Sequence, residues 1–357
     1  MGRFVAGDAP ELDRALADAL AAIGAEIGAM RVPSLAGVVL GGGYGRGEGG
    51  ARGELKVESS KFKVQSSKLK VESSKYDVVC RLSNDLDFFA ITKEGATDAD
   101  AAAVATALEP LSRRWSEKLG IDVDFTGRTP WRLRHDQERL MVQELVHGYV
   151  DVAGATGESL FAGIARREPS DLPWMEAARL LMNRGMGLLL AAEKLQSVAD
   201  GRHPTSDCRL SDVHSFVNRN INKCILGAGD AFLISRGLYR WRATERADAC
   251  EAQGFDRLYR AAVEWKFRPS EGPVCDWETA REEWLDAKLN VTAAVDAEGF
   301  RRSIRSAARW VVRRRTLGEV ATFGMNPVVR ILDRVARCIE LRSAIPPSLL
   351  RDWEIFN

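Results

Sequence analysis

Apolar residues recur every three or four positions at Leu12, Leu16, Leu20, Ile23 and Ile27, a spacing that predicts an amphipathic helix reaching about Met30. Asp8-Ala-Pro-Glu11 ahead of it reads as a capping box, with Pro10 tolerated in the first turn. The continuous apolar run Leu35–Leu40 ends in glycines and predicts a buried strand. Beyond the segment GGGYGRGEGG at 41–50, a second strand is predicted over Leu86–Thr92. A helix over Asp98–Leu119 turns Val104, Leu108, Leu111 and Trp115 to one side. Residues 121–126 (IDVDFT) alternate with period two and predict a third strand. Helix, strand, glycine turn, strand, helix, strand is the order of a mixed α/β layer.

From about Trp174 the pattern becomes helical, with stretches over 175–199, 213–236, 242–265, 277–294, 301–315 and 327–344. The clearest break is FRPSEGPVCD at 267–276, which holds two prolines and a glycine. The fold class is therefore α+β, a mixed-sheet domain over 1–170 followed by an all-helical domain over 171–357. One stretch fits neither pattern. Residues 55–75 are three tandem heptads, LKVESSK, FKVQSSK and LKVESSK, inside an insert spanning about 52–78. Apolar positions recur only two apart, which suits a strand better than a coiled coil. The insert is expected to be a disordered loop or a β-hairpin, solvated and without a function of its own.

Composition narrows the class without choosing a function. The 357 residues are 45% hydrophobic and 28% charged with a formal charge of +1, so no global field announces a nucleic-acid partner. The six cysteines are scattered with no C-x-x-C pair, which argues against a zinc site or a disulfide framework. The N-terminus lacks the apolar segment of a signal peptide, and Ala6 falls where myristoylation needs Ser or Thr. No run of eighteen apolar residues is found, so no membrane partner is expected and a cytoplasmic protein is the expectation.

Two features carry candidate chemistry. Glycines in the 41–50 turn let backbone approach a phosphate, and Arg46 and Glu48 sit among them. Asp85 and Asp87 stand two apart at the head of a strand, so both carboxylates share a face. Adjacent carboxylates repel and need compensation, and hard oxygens on one face suit Mg²⁺. Asp122 and Asp124 repeat the arrangement on the third strand, where a further carboxylate could bind a second metal and take a proton from an attacking hydroxyl. The competing reading for both pairs is an acidic strand end facing water.

GGYGRGE (Gly42 to Glu48) followed by NDLDFF (Asn84 to Phe89) resembles the signature of the polymerase-beta-like nucleotidyltransferase superfamily, in a bacterial member with a C-terminal helical domain. The resemblance covers roughly residues 35–126 without the insert. It implies a metal-dependent enzyme moving an NMP from an NTP, with ATP the expected donor, to an acceptor hydroxyl with release of pyrophosphate. By this likeness two Mg²⁺ ions would be held by Asp85, Asp87 and a third acid, Asp122 or Asp124, with Asp122 favoured as the middle of an apolar-Asp-apolar triplet. Gly42 and Gly43 would contact the triphosphate, Arg46 belongs to the same turn, and Lys223 would reach the triphosphate from the second domain. Asn84 stands where the family has Ser, and the insert falls where the family has only a few residues. A loop lengthens at small entropic cost, so the fold is expected to survive it. The acceptor is left open among a small molecule, a protein hydroxyl and an RNA end.

Two further readings are carried. A nucleotide-binding or regulatory protein with the same fold and impaired catalysis is motivated by the insert. A nucleic-acid-binding protein, or one with an acidic partner, is motivated by Arg301, Arg305, Arg309 and Arg313, which recur every fourth residue along 301–315. The histidines show no ligand spacing, and the tryptophans are expected in the core.

Overall fold

The computed structural model describes residues 3–7, 9–56, 71–73, 76–200, 210–254, 257–270, 272–293 and 327–356. The arginine repeat of 301–315 and the capping residue Asp8 lie outside the described residues. The chain forms two compact units. One holds Met1–Arg167 with Lys266–Pro269, and the other holds Glu168–Trp265 with Ser270–Asn357.

In the first unit the order is α1 (Pro10–Met30), β1 (Leu35–Leu40), α2 (Gly42–Gly45), β2 (Ala51–Lys56), β3 (Val71–Ser73), β4 (Tyr76–Leu82) and β5 (Leu86–Thr92). There follow α3 (Asp98–Leu119), β6 (Val123–Arg128), α4 (Pro130–His135), α5 (Leu140–His147), β7 (Val150–Gly154) and α6 (Gly157–Leu160). A four-stranded mixed sheet runs β6-β5-β1-β7. β1 is antiparallel to both β5 and β7, whereas β5 and β6 are parallel and joined through α3.

Strand alternation sorts the side chains. Val38, Leu40, Leu86, Phe88, Ala90 and Val123 point to one face and pack with the apolar stripes of α1 and α3. Val39 and Ile91 point to the other, against Leu133 of α4 and Val142, Leu145 and Val146 of α5. Both faces of β1 are thus covered, which explains its unbroken apolar sequence. α1 starts with Ala9 as N-cap, and Asp8 of the expected capping box lies outside the described residues. A nearby carboxylate that accepts backbone N–H groups is Asp13, from Arg3, Phe4 and Val5 at 2.6, 3.0 and 3.1 Å.

Part of the insert is strand. β2 pairs antiparallel with β4 from Ala51↔Leu82 to Lys56↔Asp77, and β3 lies on the other edge of β4. Residues 57–70 and 74–75 lie outside the described residues.

The second unit is mainly helical: α7 (Trp174–Ala199), α8 (Leu210–Ser235), α9 (Ala243–Ala252), α10 (Arg257–Phe267), α11 (Trp277–Ala293), α12 (Pro327–Leu341) and α13 (Pro347–Phe356). The single helix expected over 242–265 is two, because Gly254 takes a φ of 70° and α9 closes before it. Gly227 and Gly229 serve packing. A Cβ at Gly227 would collide with the Arg184 side chain, and one at Gly229 with the Tyr259 ring. Trp284 is fully buried and donates to Leu181 O at 2.9 Å. No described helix is long and apolar enough to cross a membrane.

Candidate active site

The glycine turn follows β1 without a break. Gly41 N donates to Asp87 O at 2.8 Å, so the turn begins hydrogen-bonded to the strand that bears the acids. Most of its glycines are small for packing reasons. A Cβ at Gly41 would meet Phe89 and Leu145, at Gly45 the Leu40 carbonyl, and at Gly49 the Tyr44 ring. Gly42 is different. It takes a φ of 61°, a left-handed conformation that glycine adopts without penalty, and a Cβ there would press on Asp87 Oδ2, with the carboxyl carbon 3.4 Å away. Its smallness leaves the Asp87 carboxylate its place. Gly42→Ala is expected to lose about 1–2 kcal/mol of stability from the backbone alone, and to displace Asp87. Thermal melts check the first and the amide chemical shift of Asp87 the second; an alanine variant with native stability and an unmoved Asp87 resonance would contradict it.

The acids lie on one face. Asp87 and Asp124 are register partners on the parallel strands β5 and β6. Each alternates with inward residues, Leu86 and Phe88 in one strand and Val123 and Phe125 in the other, and both are exposed. They therefore lie on the face opposite α1 and α3, at the ends where β5 and β6 begin. Asp85 and Asp122 each precede their strand by one residue, and Asp122 O accepts from Leu86 N at 2.9 Å. The start of β6 is held by α3: Val123 N donates to Ser116 Oγ at 2.9 Å, and Ser112 Oγ donates to Val123 O. Two serines one helical turn apart thus fix the backbone between Asp122 and Asp124.

Although Asp124 is exposed, loss of part of the water around its carboxyl pushes that group above its ordinary value of 3.8, and the nearby charges of Asp122 and Asp85 push the same way. A raised carboxyl binds its proton more tightly folded than unfolded. Stability therefore falls as pH rises from 3.8 through the raised value, and the cost is fully present above it. Asp124→Asn should melt higher than wild type near neutral pH without divalent cation, and the difference should shrink in acid. Melts between pH 4 and pH 7 check this; a gap that widens toward acid would contradict it.

Arg46 and Glu48 have structural partners. Glu48 is buried, and its carboxylate meets Arg46 Nε at 3.6 Å and Lys266 Nζ at 3.3 Å. Arg46 Nη1 also reaches Glu144 of α5 at 3.4 Å. The Arg-Gly-Glu element thus ties the turn to α5 and to the Lys266–Pro269 segment. Lys223 belongs to the helical unit, on the exposed side of α8. Four residues around the turn and the acids escape sequence reading: Tyr44, Ser112, Ser116 and Glu144. Only Tyr44, an aromatic in a run of glycines, carries a local signal.

The donors on this face are carboxylate oxygens, the hard ligands Mg²⁺ prefers. Among the described residues no three His, Cys, Asp or Glu side chains gather closely enough to hold a metal by themselves. Magnesium binds through one or two carboxylates completed by water and substrate phosphate, so the paired acids fit it as part of a shared site. Comparison of the chain with protein-family models, with characterised proteins and with solved structures returns no match.

Proposed function

We propose that this chain is a metal-dependent nucleotidyltransferase that moves an NMP from an NTP, with ATP the first candidate, onto an acceptor hydroxyl. The observation that carries the reading is the register pairing of Asp87 with Asp124 beside Gly42, which brings acids from two strands and a tight backbone turn together. Bound Mg²⁺ would offset the charge of the triphosphate and of the leaving pyrophosphate. Asp85 and Asp87 are the residues that would hold it. Gly42 and Gly43 open α2, so their N–H groups have no preceding helical turn to donate to and suit phosphate oxygens.

The acceptor oxygen forms its bond to the α-phosphorus as the bond from that phosphorus to the pyrophosphate oxygen breaks, and the hydroxyl proton needs a base. Asp124 suits that role better than Asp122. It stands level with Asp87, and its surroundings raise its affinity for a proton. In this reading Arg46 acts through the turn it holds and not through the nucleotide. The test is to supply each NTP with Mg²⁺ and a panel of small-molecule, protein and RNA acceptors, measuring pyrophosphate release and label transfer. Metal-dependent release with label on one acceptor supports the reading. No release with any NTP, acceptor or cell extract overturns it.

A further inference from the structure

We infer that the Tyr44 hydroxyl is a positioning group that fastens the glycine turn to the backbone immediately ahead of Asp85; its effect on chemistry rests on the transferase reading above. The ring is 1% exposed, and a Cβ at Gly49 would enter it, so its direction is fixed by packing. Its oxygen donates to Gly50 O at 2.7 Å and accepts from Ser83 N at 3.2 Å and Asn84 N at 3.4 Å. A phenol offers one donor and two acceptor sites, and all three are used here. Burial raises the phenol well above its ordinary pKa, so it stays protonated and remains a donor.

The place of these contacts gives them consequence. Gly50 and Ser83 adjoin the Ala51↔Leu82 pair that closes the β2–β4 ladder, and Ser83 N also donates to Gly50 O at 3.2 Å. Asp85 comes next after Asn84 and precedes β5, whose register begins at Leu86 with β6 and at Phe88 with β1, leaving Asp85 outside both. Asp85 thus lies between Leu86, whose N donates to Asp122 O at 2.9 Å, and two residues whose amides the phenol oxygen holds. Phenylalanine would fill the same apolar space. The hydroxyl is what the packing alone does not need.

The test compares the full chain with Tyr44→Phe, using Phe88→Leu as a core substitution that leaves the hydroxyl in place. Amide exchange at Ser83 and Asn84 should quicken about tenfold in Tyr44→Phe relative to amides within β5, and not selectively in Phe88→Leu. With ATP and Mg²⁺, kcat should fall about tenfold while KM for ATP stays within about twofold. Unchanged exchange at both amides overturns the fastening, and faster exchange with wild-type kcat overturns its role in positioning Asp85. A wild-type chain without turnover removes the transferase reading, and the exchange measurement then decides the fastening alone.

Discussion

Asp87→Asn is expected to cut pyrophosphate release on the order of 10³-fold or more, equivalent to about 4 kcal/mol of transition-state stabilisation. Asparagine keeps the shape of the side chain and removes its charge. In phosphoryl transfer the protein contributes mostly positioning and charge compensation, so under the transferase reading losing the charge of Asp87 costs most of the rate. The same substitution removes a negative charge at the register partner of Asp124, so the variant should melt no lower than wild type. Activity and stability moving in opposite directions is what separates a functional acid from a structural one. Asp18→Asn, at an exposed position on α1, supplies the control and should change neither. Turnover within a few-fold of wild type in Asp87→Asn would end the proposed mechanism.

The largest stability effect is expected in the helical unit, at Arg246. Its side chain is 4% exposed, its Nε lies 2.8 Å from Asp230 Oδ1 and 3.1 Å from the Tyr259 oxygen, and Nη1 donates to the carbonyls of Arg240 and Trp241 at 3.0 Å each. Its guanidinium also lies 5.0 Å from the Tyr239 ring centre. Arg246→Ala removes the guanidinium that faces Asp230, and breaking a buried ion pair in this way costs about 3–5 kcal/mol. Replacing both partners, Arg246→Met with Asp230→Leu, should cost much less, because the desolvation of two charges is relieved along with their attraction. Chemical denaturation followed by helical circular dichroism tests the pair. A double variant as unstable as the single would show that geometry, and not charge, is what the cluster supplies.

What the amino-acid pattern reveals depends on how local the cause is. β1 and β5 are legible to the residue because burial and alternation are written along the strand itself, as in Val38, Val39 and Leu40 or in Leu86, Phe88 and Ala90. α3 is legible because Thr97 caps it and Gly120 ends it. The third strand begins two positions later than period two suggests, since the ladder opens at Leu86↔Val123 and leaves Asp122 outside. β7 goes unread because it is a short, half-exposed edge, and β4 because it is masked by the repeats before it. The candidate acids are readable as two Asp-x-Asp pairs, but their ranking is not. That Asp124 is the register partner of Asp87 depends on a pairing made through α3, which neither strand's own sequence tells. The glycine run likewise names a turn without telling that Gly42 makes room for a carboxylate while Gly49 makes room for a phenol ring.

The parallel pairing of β5 with β6 also has a bearing on the order in which the candidate site comes together. Parallel neighbours cannot be closed by a tight hairpin, so the whole of α3 must fold over the sheet before Asp124 arrives beside Asp87. Such non-local contacts form late, after the entropy of closing the intervening segment has been overcome. A nascent or partly folded chain would carry the glycine turn and its first two acids well before the third. If the transferase proposal holds, turnover should therefore appear in refolding with the slow docking of α3, later than the bulk of the helical signal.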